Sequence, residues 1–300
     1  MIRTYFVVGP TASGKTNYAL QLAESMDGEI VSADSMQIYK YMDIGSAKPT
    51  AEELARVKHW LIGKIDPRTP FNVSDYQKLA LECIKDIASR GKTPIVCGGT
   101  GLYVNSLIYK MDFEAPEGDE DFRKKIFNEE DGDPDKLHER LKRLDPNAAE
   151  AIHPNNIKRT LRAIERLEKG EGRLAEFSKA TVPSDIIDPV MLGMELPREV
   201  LYERINSRVD VLFEMGLEKE VRSLMEMGFT SADVAMKGIG YKEIIDVINA
   251  GGRAEDAAET IKVNTRHYAR RQLIWFRRYK QIRWISPGYS SENLHFIGIV

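Results

Sequence analysis

The chain has 300 residues, enough for one large domain or two ordinary ones with a sizeable apolar core. Its hydrophobic fraction of 42% and charged fraction of 30% are those of a globular protein and exclude wholesale disorder. The net charge of −3 says nothing about an anionic partner until the distribution of charge is considered. No apolar run approaches the ~18 residues of a membrane span, and the strand-like start leaves no room for a signal peptide. A cytoplasmic protein is therefore expected.

Cysteine and histidine residues indicate neither a disulfide nor a structural metal. Cys83 and Cys97 are well separated and lack metal-ligand spacing, so free thiols are expected. The histidines likewise show no ligand spacing, and surface or capping roles are expected for them. They are His59, His138, His153, His267 and His295.

The first third of the chain alternates strand-like and helix-like patterns. Short β-branched and aromatic runs that end at glycine or a small residue are typical of buried parallel strands. Their alternation with helices predicts a parallel sheet whose ligands bind at the carboxyl ends of the strands. The predicted strands are Thr4–Val8, Glu29–Ser32 and Pro94–Cys97, and the predicted helices are one ending near Gly28 and one over Ser74–Ser89.

From about residue 113 to residue 185 the pattern changes to charged helical stretches broken by prolines, with almost no strand signal. We interpret 113–185 as an all-helical insertion into an α/β core formed by 1–112 and 186–300. The elements predicted beyond it are a strand over Asp188–Leu196 and helices over Pro197–Met227, Tyr241–Asn249 and Ala254–Lys280.

Residues 9–16, GPTASGKT, match the pattern G-x-x-x-x-G-K-[ST] and stand between the first strand and the first helix. In such a loop, backbone N–H groups and a helix N-terminus converge on an anion, Lys15 adds a positive charge, and the Thr16 hydroxyl can bind Mg²⁺. We therefore predict phosphate binding and an α/β fold, a P-loop NTPase-like parallel sheet flanked by helices with an all-helical insertion domain. The predicted phosphate-binding residues are Gly9, Pro10, Thr11, Ala12, Ser13, Gly14, Lys15 and Thr16.

Phosphate binding does not by itself indicate ATP hydrolysis. A P-loop NTPase uses a second carboxylate, usually closing an apolar strand, to organise Mg²⁺ and water. Here the strand Pro94–Cys97 is followed by GGTG (98–101), which supplies backbone donors and a hydroxyl but no acid. The carboxylate at a strand end is Asp34, which we expect beside the phosphate loop as a base or a nucleotide positioner. The alternative is that Asp34 only caps the following turn.

Three basic regions occur on this chain of net negative charge. Lys158–Arg162 with Arg166 forms a ridge on a helix of the insertion, and Arg208 lies on a helix of the returning core. Residues 253–283 hold nine Lys/Arg against three Asp/Glu, with Arg266 and Arg270 among them. Interleaving with aromatic residues suits RNA backbone contact and base stacking, and the alternative is a solvated helix face with core aromatics. The aromatic residues concerned are Tyr268, Trp275 and Tyr279.

Together these motifs resemble those of the bacterial tRNA dimethylallyltransferase (tRNA isopentenyltransferase) family. They follow the family order across nearly the whole chain, and the later ones are far more specific than the phosphate loop. The matching segments are GPTASGKT (9–16), DSMQIYKYMDIGSAKP (34–49), GGTGLY (98–103), HPNNIKRTLRAIE (153–165), GLEKEV (216–221), GYKE (240–243) and TRHYARRQLIWFR (265–277).

The resemblance implies transfer of a dimethylallyl group from dimethylallyl diphosphate to N6 of the adenosine 3′-adjacent to the anticodon, with Mg²⁺, in tRNAs that read codons beginning with U. Asp34 would be the general base, and Lys15, Thr16 and Arg208 would bind the diphosphate. The insertion would grip the anticodon stem-loop, and a monomer is the default expectation. The implied tRNA contacts are Asp34, Ser35, Met36, Gln37, Thr100, Arg123, Lys158, Arg159, Thr160, Leu161 and Arg162, to which the basic C-terminal block adds Arg266 and Arg270.

The chain departs from the family pattern at four positions. Gly63 stands where the family usually has Asp, and Ser46 replaces the Thr of IGTAKP. Asn156 replaces the Asp of HPND, and Ile274 replaces the Thr before Trp-Phe-Arg. None of these lies in the phosphate loop, at Asp34 or in GGTG, so the departures concern fine positioning and tRNA preference.

Three other functions fit parts of the sequence. A nucleotide or metabolite kinase shares the α/β core and a helical insertion but has no use for the basic C-terminal helix. An adenylate isopentenyltransferase acting on free AMP or ATP needs neither that helix nor the basic ridge. A nucleotide-gated RNA-binding module leaves Asp34 and GGTG unexplained.

Overall fold

The chain divides into two compact units in a computed structural model that describes residues 1–111, 119–171 and 182–286. One unit is formed by Met1–Lys110 and Thr181–Val300, and the other by Met111–Ala180. The ends of the expected insertion, 113–118 and 172–181, lie outside the described residues.

Within the described residues, the first unit is built on one sheet of six parallel strands. The strands are β1 (Ile2–Val8), β2 (Gly28–Ser32), β3 (His59–Trp60), β4 (Thr93–Gly98), β5 (Ile187–Met194) and β6 (Arg283–Ile285). Their order across the sheet is β3-β2-β4-β1-β5-β6, so β4 lies between β1 and β2. The predicted α/β class with a parallel sheet is confirmed.

Both faces of the sheet are covered, which explains the continuous apolar runs of its strands. Phe6 and Val8 of β1 belong to the larger core on one face, and Tyr5 and Val7 belong to a second core on the other. The side chains of one strand therefore alternate between two buried environments.

The helices alternate with the strands along the first unit. The predicted Pro197–Met227 helix is two helices, because the chain turns at Gly216, whose φ is +99°. The predicted Ala254–Lys280 helix ends at Phe276, and the short 3-10 helices Ala235–Lys237 and Ala254–Ala257 stand outside the α-helices. The α-helices of both units are α1 (Lys15–Ser25), α2 (Ala51–Arg56), α3 (Val73–Ser89), α4 (Gly101–Ile108), α5 (Glu120–Glu129), α6 (Pro134–Leu144), α7 (Pro146–Ala151), α8 (Ile157–Glu168), α9 (Arg198–Glu214), α10 (Leu217–Glu226), α11 (Tyr241–Asn249) and α12 (Ala258–Phe276).

The second unit consists of α5 to α8 around its own small core. Each helix starts at an Asp or Asn whose side chain accepts from a backbone N–H of the first turn. Arg140 of α6 joins three helices by pairing with Glu129 of α5 and Glu168 of α8 at 2.8 Å each. The core residues include Ile126, Leu137, Leu141, Leu161 and Ile164.

No helix among the described residues has both the length and the apolar character needed to cross a membrane.

Candidate active site

The phosphate loop lies between β1 and α1, as the motif predicts. Gly9 has a φ of +140°, and a Cβ there would lie 2.6 Å from the carbonyl oxygen of Met194, so no larger residue fits. The N–H of Thr11 is already used, because it donates to Oε1 of Gln272 at 2.8 Å, and Pro10 has no N–H. An anion in the loop is therefore left with the N–H groups that follow Thr11 and with the N-terminus of α1.

Lys15 belongs to a group of charges at the carboxyl ends of the strands. Its ammonium donates to the carbonyl oxygen of Pro10 at 2.5 Å. Burial lowers the pKa of Lys15 to about 8, an effect opposed by Cys97 and Asp34 and reinforced by Arg208. Burial raises the pKa of the Cys97 thiol to about 11, so the thiol is neutral at physiological pH. Two cations and one carboxylate thus share this neighbourhood.

Arg208 reaches the same neighbourhood from α9. The residue is exposed, yet the protein around its guanidinium lowers its pKa, and the carboxylates of Asp34 and Glu53 oppose that shift. The structure therefore brings together the phosphate loop, Asp34 and Arg208, which lie far apart in sequence.

Asp34 stands just beyond the carboxyl end of β2 and caps the turn that follows. Its Oδ1 accepts from the backbone N–H of Met36 at 2.8 Å and of Gln37 at 3.4 Å. Its Oδ2 makes no hydrogen bond within 1–111, 119–171 and 182–286. Asp34 is also partly exposed, so capping the turn leaves one carboxylate oxygen available to a ligand.

The GGTG turn after β4 is bonded to the Asp34 loop. The Thr100 hydroxyl accepts from the N–H of Ser35 at 3.0 Å, and the Thr100 N–H donates to the carbonyl oxygen of Ala33 at 3.1 Å. Thr100 is therefore held directly beside the segment that carries Asp34, and the two predicted tRNA-contact groups meet in space.

The side chain of Gln37 is held on both sides. Its Oε1 accepts from the Ser32 hydroxyl at 3.0 Å, and its Nε2 donates to the carbonyl oxygen of Ala47 at 3.0 Å. One amide hydrogen is left for a ligand. A role for Gln37 in reading a base stays a prediction, but its orientation is fixed by the protein.

A carboxylate from α10 anchors the segment that follows Gln37, a contact that no local sequence pattern indicates. The two oxygens of Glu220 accept from the N–H groups of Asp43 at 2.8 Å, Ile44 at 2.7 Å and Gly45 at 3.0 Å. Oε1 also accepts from the Tyr241 hydroxyl at 2.7 Å. Glu220 of GLEKEV and Tyr241 of GYKE therefore hold the loop that binds Gln37 through Ala47.

The aromatic residues of α12 and of the turn after it mainly pack within the protein. Tyr279 is buried, which favours the alternative of a core aromatic over a ring that stacks on RNA. The Trp275 indole lies against Gly101 and donates to the Tyr279 hydroxyl at 3.0 Å. Burial raises the pKa of the Tyr268 hydroxyl to about 12, and that hydroxyl interacts with Thr100. These rings join α12 to the GGTG turn.

The two arginines predicted on this helix differ in their surroundings. Arg266 is partly buried, and its Nη1 donates to Oδ1 of Asn206 at 2.5 Å. Arg270 is exposed and makes no ion pair within the described residues. Of the two, Arg270 is the one available to a phosphate backbone.

Within the helical unit, Lys158, Arg159 and Arg162 are exposed on α8. Thr160 is fully buried and Leu161 is 9% exposed, so the prediction that these two side chains contact tRNA is wrong. Their spacing on α8 turns them inward, away from the three basic residues.

Arg123 of the helical unit is held by an acid of the same unit. Its Nε pairs with Oε2 of Glu165 at 3.1 Å, and its side chain is partly exposed.

The structure shows what surrounds each of the four departures from the family pattern. Asn156 accepts from the N–H of Arg159 at 3.4 Å and so caps α8 as Asp would. The Ser46 hydroxyl donates to the carbonyl oxygen of Met42 at 2.5 Å. Lys48 lies close to Gly63, where the family usually has Asp. Lys48 pairs with Asp43 at 2.6 Å, so it has an acidic partner although position 63 provides none. Ile274 is exposed, so the change from Thr at this position alters no buried contact.

Known proteins resemble this chain in sequence over most of its length. The sequence model described as IPP transferase matches residues 37–279. The tRNA dimethylallyltransferase of Acetivibrio thermocellus is 47% identical over 285 residues, which cover 93% of this chain and 90% of that protein. That of Clostridioides difficile is 45% identical over 280 residues, covering 93% and 89%.

Solved structures agree with the sequence comparisons. A tRNA isopentenylpyrophosphate transferase from Bacillus halodurans has a TM-score of 0.72 at 39% identity, covering 99% of this chain and 94% of that one. A eukaryotic dimethylallyltransferase acting on tRNA has a TM-score of 0.83 at 27% identity, covering 99% and 80%. This chain belongs to the IPP transferase family.

Proposed function

We propose that this chain transfers a dimethylallyl group from dimethylallyl diphosphate to N6 of the adenosine 3′-adjacent to the anticodon, in tRNAs that read codons beginning with U, and releases diphosphate. Family membership carries the class of reaction, a prenyl transfer to tRNA. The observation that carries the site is the free Oδ2 of Asp34 in the same neighbourhood as Lys15. The ammonium of Lys15 suits a leaving anion, and the carboxylate of Asp34 suits an incoming amine.

The main catalytic task is to stabilise the negative charge of the departing diphosphate. An allylic diphosphate is primed to ionise, because the developing cation is resonance-stabilised and the leaving group is a stable anion. The N–H groups after Thr11, together with Lys15 and Arg208, provide fixed positive potential where that charge develops. Burial of the Lys15 ammonium strengthens this interaction, since little water screens it.

The residues present suit Mg²⁺ carried on the diphosphate. Mg²⁺ prefers oxygen ligands and usually takes them from one or two protein groups and from substrate phosphates. Thr16 lies in the first turn of α1, and the described residues contain no group of three or more His, Cys, Asp or Glu that could hold a metal. Thr16 would hold the ion, which would neutralise charge on the leaving diphosphate.

Asp34 takes the proton from the acceptor. The exocyclic amine of adenine is a weak nucleophile, because its lone pair is delocalised into the ring. Its proton becomes acidic only as the N–C bond forms, so the carboxylate acts as general base during bond formation. The Oδ1 bonds to Met36 and Gln37 hold the carboxylate still, and Oδ2 accepts the proton.

The acceptor adenosine must leave its stack in the anticodon loop to reach this carboxylate. Gln37 is suited to reading it, since a side-chain amide can pair with an adenine edge. The helical unit grips the anticodon stem-loop through Lys158, Arg159 and Arg162, which contact phosphates. Arg270 of α12 adds a further phosphate contact.

The test is to incubate the purified protein with dimethylallyl diphosphate, Mg²⁺ and unmodified tRNA and to analyse the nucleosides by mass spectrometry. We expect adenosine with an added dimethylallyl group at the position 3′ to the anticodon. Free AMP as acceptor should give no product, and ATP in place of the prenyl donor should give no phosphorylated nucleoside. Prenylated AMP or phosphorylated product would contradict the proposal.

A further inference from the structure

One buried side chain of α12 joins the two loops of the candidate active site. Oε1 of Gln272 accepts from the N–H of Thr11 at 2.8 Å, and its Nε2 donates to the carbonyl oxygen of Gly99 at 2.9 Å. Gln272 is 5% exposed, so both bonds are shielded from water. A single amide therefore spans the phosphate loop and the GGTG turn.

The fit between this amide and the turn is tight. A Cβ at Gly99 would lie 2.1 Å from Nε2 of Gln272, closer than nonbonded atoms approach. The amide thus occupies the space that any larger residue at position 99 would need. The next atoms near that Cβ are Cδ of the same amide at 3.2 Å and the carbonyl oxygen of Gly9 at 3.3 Å, so removing the amide leaves a close contact with that carbonyl oxygen alone.

The series of hydrogen bonds continues from the GGTG turn to the segment that carries Asp34. Thr100 follows Gly99 and bonds through its hydroxyl to Ser35 and through its N–H to Ala33. These two residues flank Asp34. A chain of hydrogen bonds through Gln272, the GGTG turn and Thr100 therefore links the phosphate loop to the Asp34 loop.

We propose that Gln272 is a positioning residue that holds the diphosphate-binding loop and the Asp34 loop in the register that prenyl transfer requires. The inference rests on the proposed function. A transfer between two bound substrates needs the electrophilic carbon and the amine at a fixed separation, and a misplacement of about 1 Å costs on the order of 10²-fold in rate. Gln272 touches neither reacting atom, so its loss affects alignment rather than binding of either substrate.

The experiment is a double-mutant cycle of Gln272→Ala and Gly99→Ala, measured by kcat under saturating substrates. Each single variant should lower kcat roughly 10- to 100-fold, one by removing the bridge and the other by displacing it. The double variant should lose less than about threefold more than Gln272→Ala, because the shortened residue leaves room for the methyl group of Ala at 99. Dissociation constants for inorganic diphosphate with Mg²⁺, and separately for tRNA, should change less than about threefold.

Gln77→Met is the matched control. The Gln77 side-chain amide also donates to a backbone carbonyl, that of Ser106, and so joins α3 to α4 away from the phosphate loop. This variant should lower the melting temperature while kcat stays within about twofold of the wild type.

Three results would overturn the proposal: a wild-type kcat in Gln272→Ala, single-variant losses that multiply in the double variant, or a loss of kcat matched by an equal loss of diphosphate binding. Its failure differs from that of the proposed function. If the wild-type protein makes no prenylated adenosine, both fail; if it does and the cycle is additive, only the bridging role fails.

Discussion

At the scale of single residues, the structure is compatible with both interpretations of Asp34. The sequence left open whether it caps a turn or acts at the site, and the structure assigns its oxygens different surroundings. Oδ1 accepts from two N–H groups of the turn, and Oδ2 makes no hydrogen bond within the described residues. A substitution that separates the two roles must therefore keep an acceptor at Oδ1.

Asp34→Asn is such a substitution. The amide oxygen can still accept from Met36, while the charge and the proton acceptor are lost. We expect single-turnover kcat to fall about 10²- to 10⁴-fold, with binding of inorganic diphosphate and of tRNA retained. Asp34→Ala, which also removes the cap, should lower the melting temperature in addition. Unchanged single-turnover rates in Asp34→Asn would remove this residue from the role of base.

The lowered pKa of Lys15 predicts a pH dependence of diphosphate capture. With a pKa of about 8, Lys15 in the free protein loses its charge as the pH rises through 8. The value of kcat/KM for dimethylallyl diphosphate reports the free protein, so we expect it to fall above about pH 8. The bound diphosphate favours the charged amine, so kcat should stay level to higher pH.

Lys15→Arg provides the control for that profile, since a guanidinium stays charged throughout this range. It should have a lower kcat/KM at every pH and no decline between pH 7 and pH 9.5. A wild-type kcat/KM that is flat over the same range would contradict the assignment.

At the scale of elements, the sequence predicted those with long apolar patterns. The strands β1, β2, β4 and β5 and the helices α3 and α11 lie close to their predicted bounds. β3 and β6 have only two and three residues, too few for a period to appear. α2 has no buried residue, so it carries no apolar stripe.

The site could be predicted where its residues are contiguous and not where they meet across the fold. The phosphate loop and Asp34 follow from local patterns at strand ends. The contact of Glu220 with the Asp43–Gly45 segment joins α10 to a loop far away in sequence, and nothing local in GLEKEV indicates it. The contact of Gln272 with Thr11 is not predicted either. The arginines beside Gln272 indicate RNA binding, and nothing local indicates a bond to the phosphate loop.

Glu220→Gln tests whether α10 positions the tRNA-contact loop. An amide cannot accept at both ends, so at least one of the four donors that Glu220 serves loses its partner. We expect KM for tRNA to rise roughly tenfold, because that loop fixes Gln37 through Ala47, while KM for dimethylallyl diphosphate stays within about twofold.

Glu243→Gln is the matched control for that variant. Glu243 accepts from the N–H of Gly240 and from Asn264, and so caps α11 without touching the loop. It should lower stability with no change in the ratio of the two KM values. Equal changes in both KM values of Glu220→Gln would reduce Glu220 to a structural role.

At the scale of the whole molecule, a buried acid at the amino ends of the strands contributes to stability. Glu29 pairs with Arg90 through two bonds of 2.6 and 2.8 Å and accepts from the Trp60 indole at 2.8 Å. The bonds from Arg90 hold the pKa of Glu29 at about 2, against an ordinary value near 4.5. The network joins β2, β3 and the end of α3.

Because the folded pKa is the lower one, the stabilisation is present above about pH 4.5 and is lost as the pH falls towards 2. We expect Glu29→Gln to lower the free energy of unfolding at pH 7 by roughly 2 kcal/mol, a difference that narrows in acid. Denaturant titrations between pH 7 and pH 3 measure it. Glu24→Gln breaks the exposed pair with Arg56 and should have a much smaller effect. If the loss of unfolding free energy in Glu29→Gln does not vary with pH, the low pKa of Glu29 does not stabilise the fold.

The strand order has a chemical consequence. Neighbouring strands lie about 4.8 Å apart, so with β4 between them the ends of β1 and β2 stand roughly 10 Å apart. In the proposed reaction this distance separates the bound diphosphate from the carboxylate of Asp34. A carboxylate that follows β2 then stands to one side of a phosphate held after β1, and a short chain attached to that phosphate can span the gap. The width of β4 thus leaves room for the chain of a prenyl donor between the anion site and the carboxylate that receives the proton.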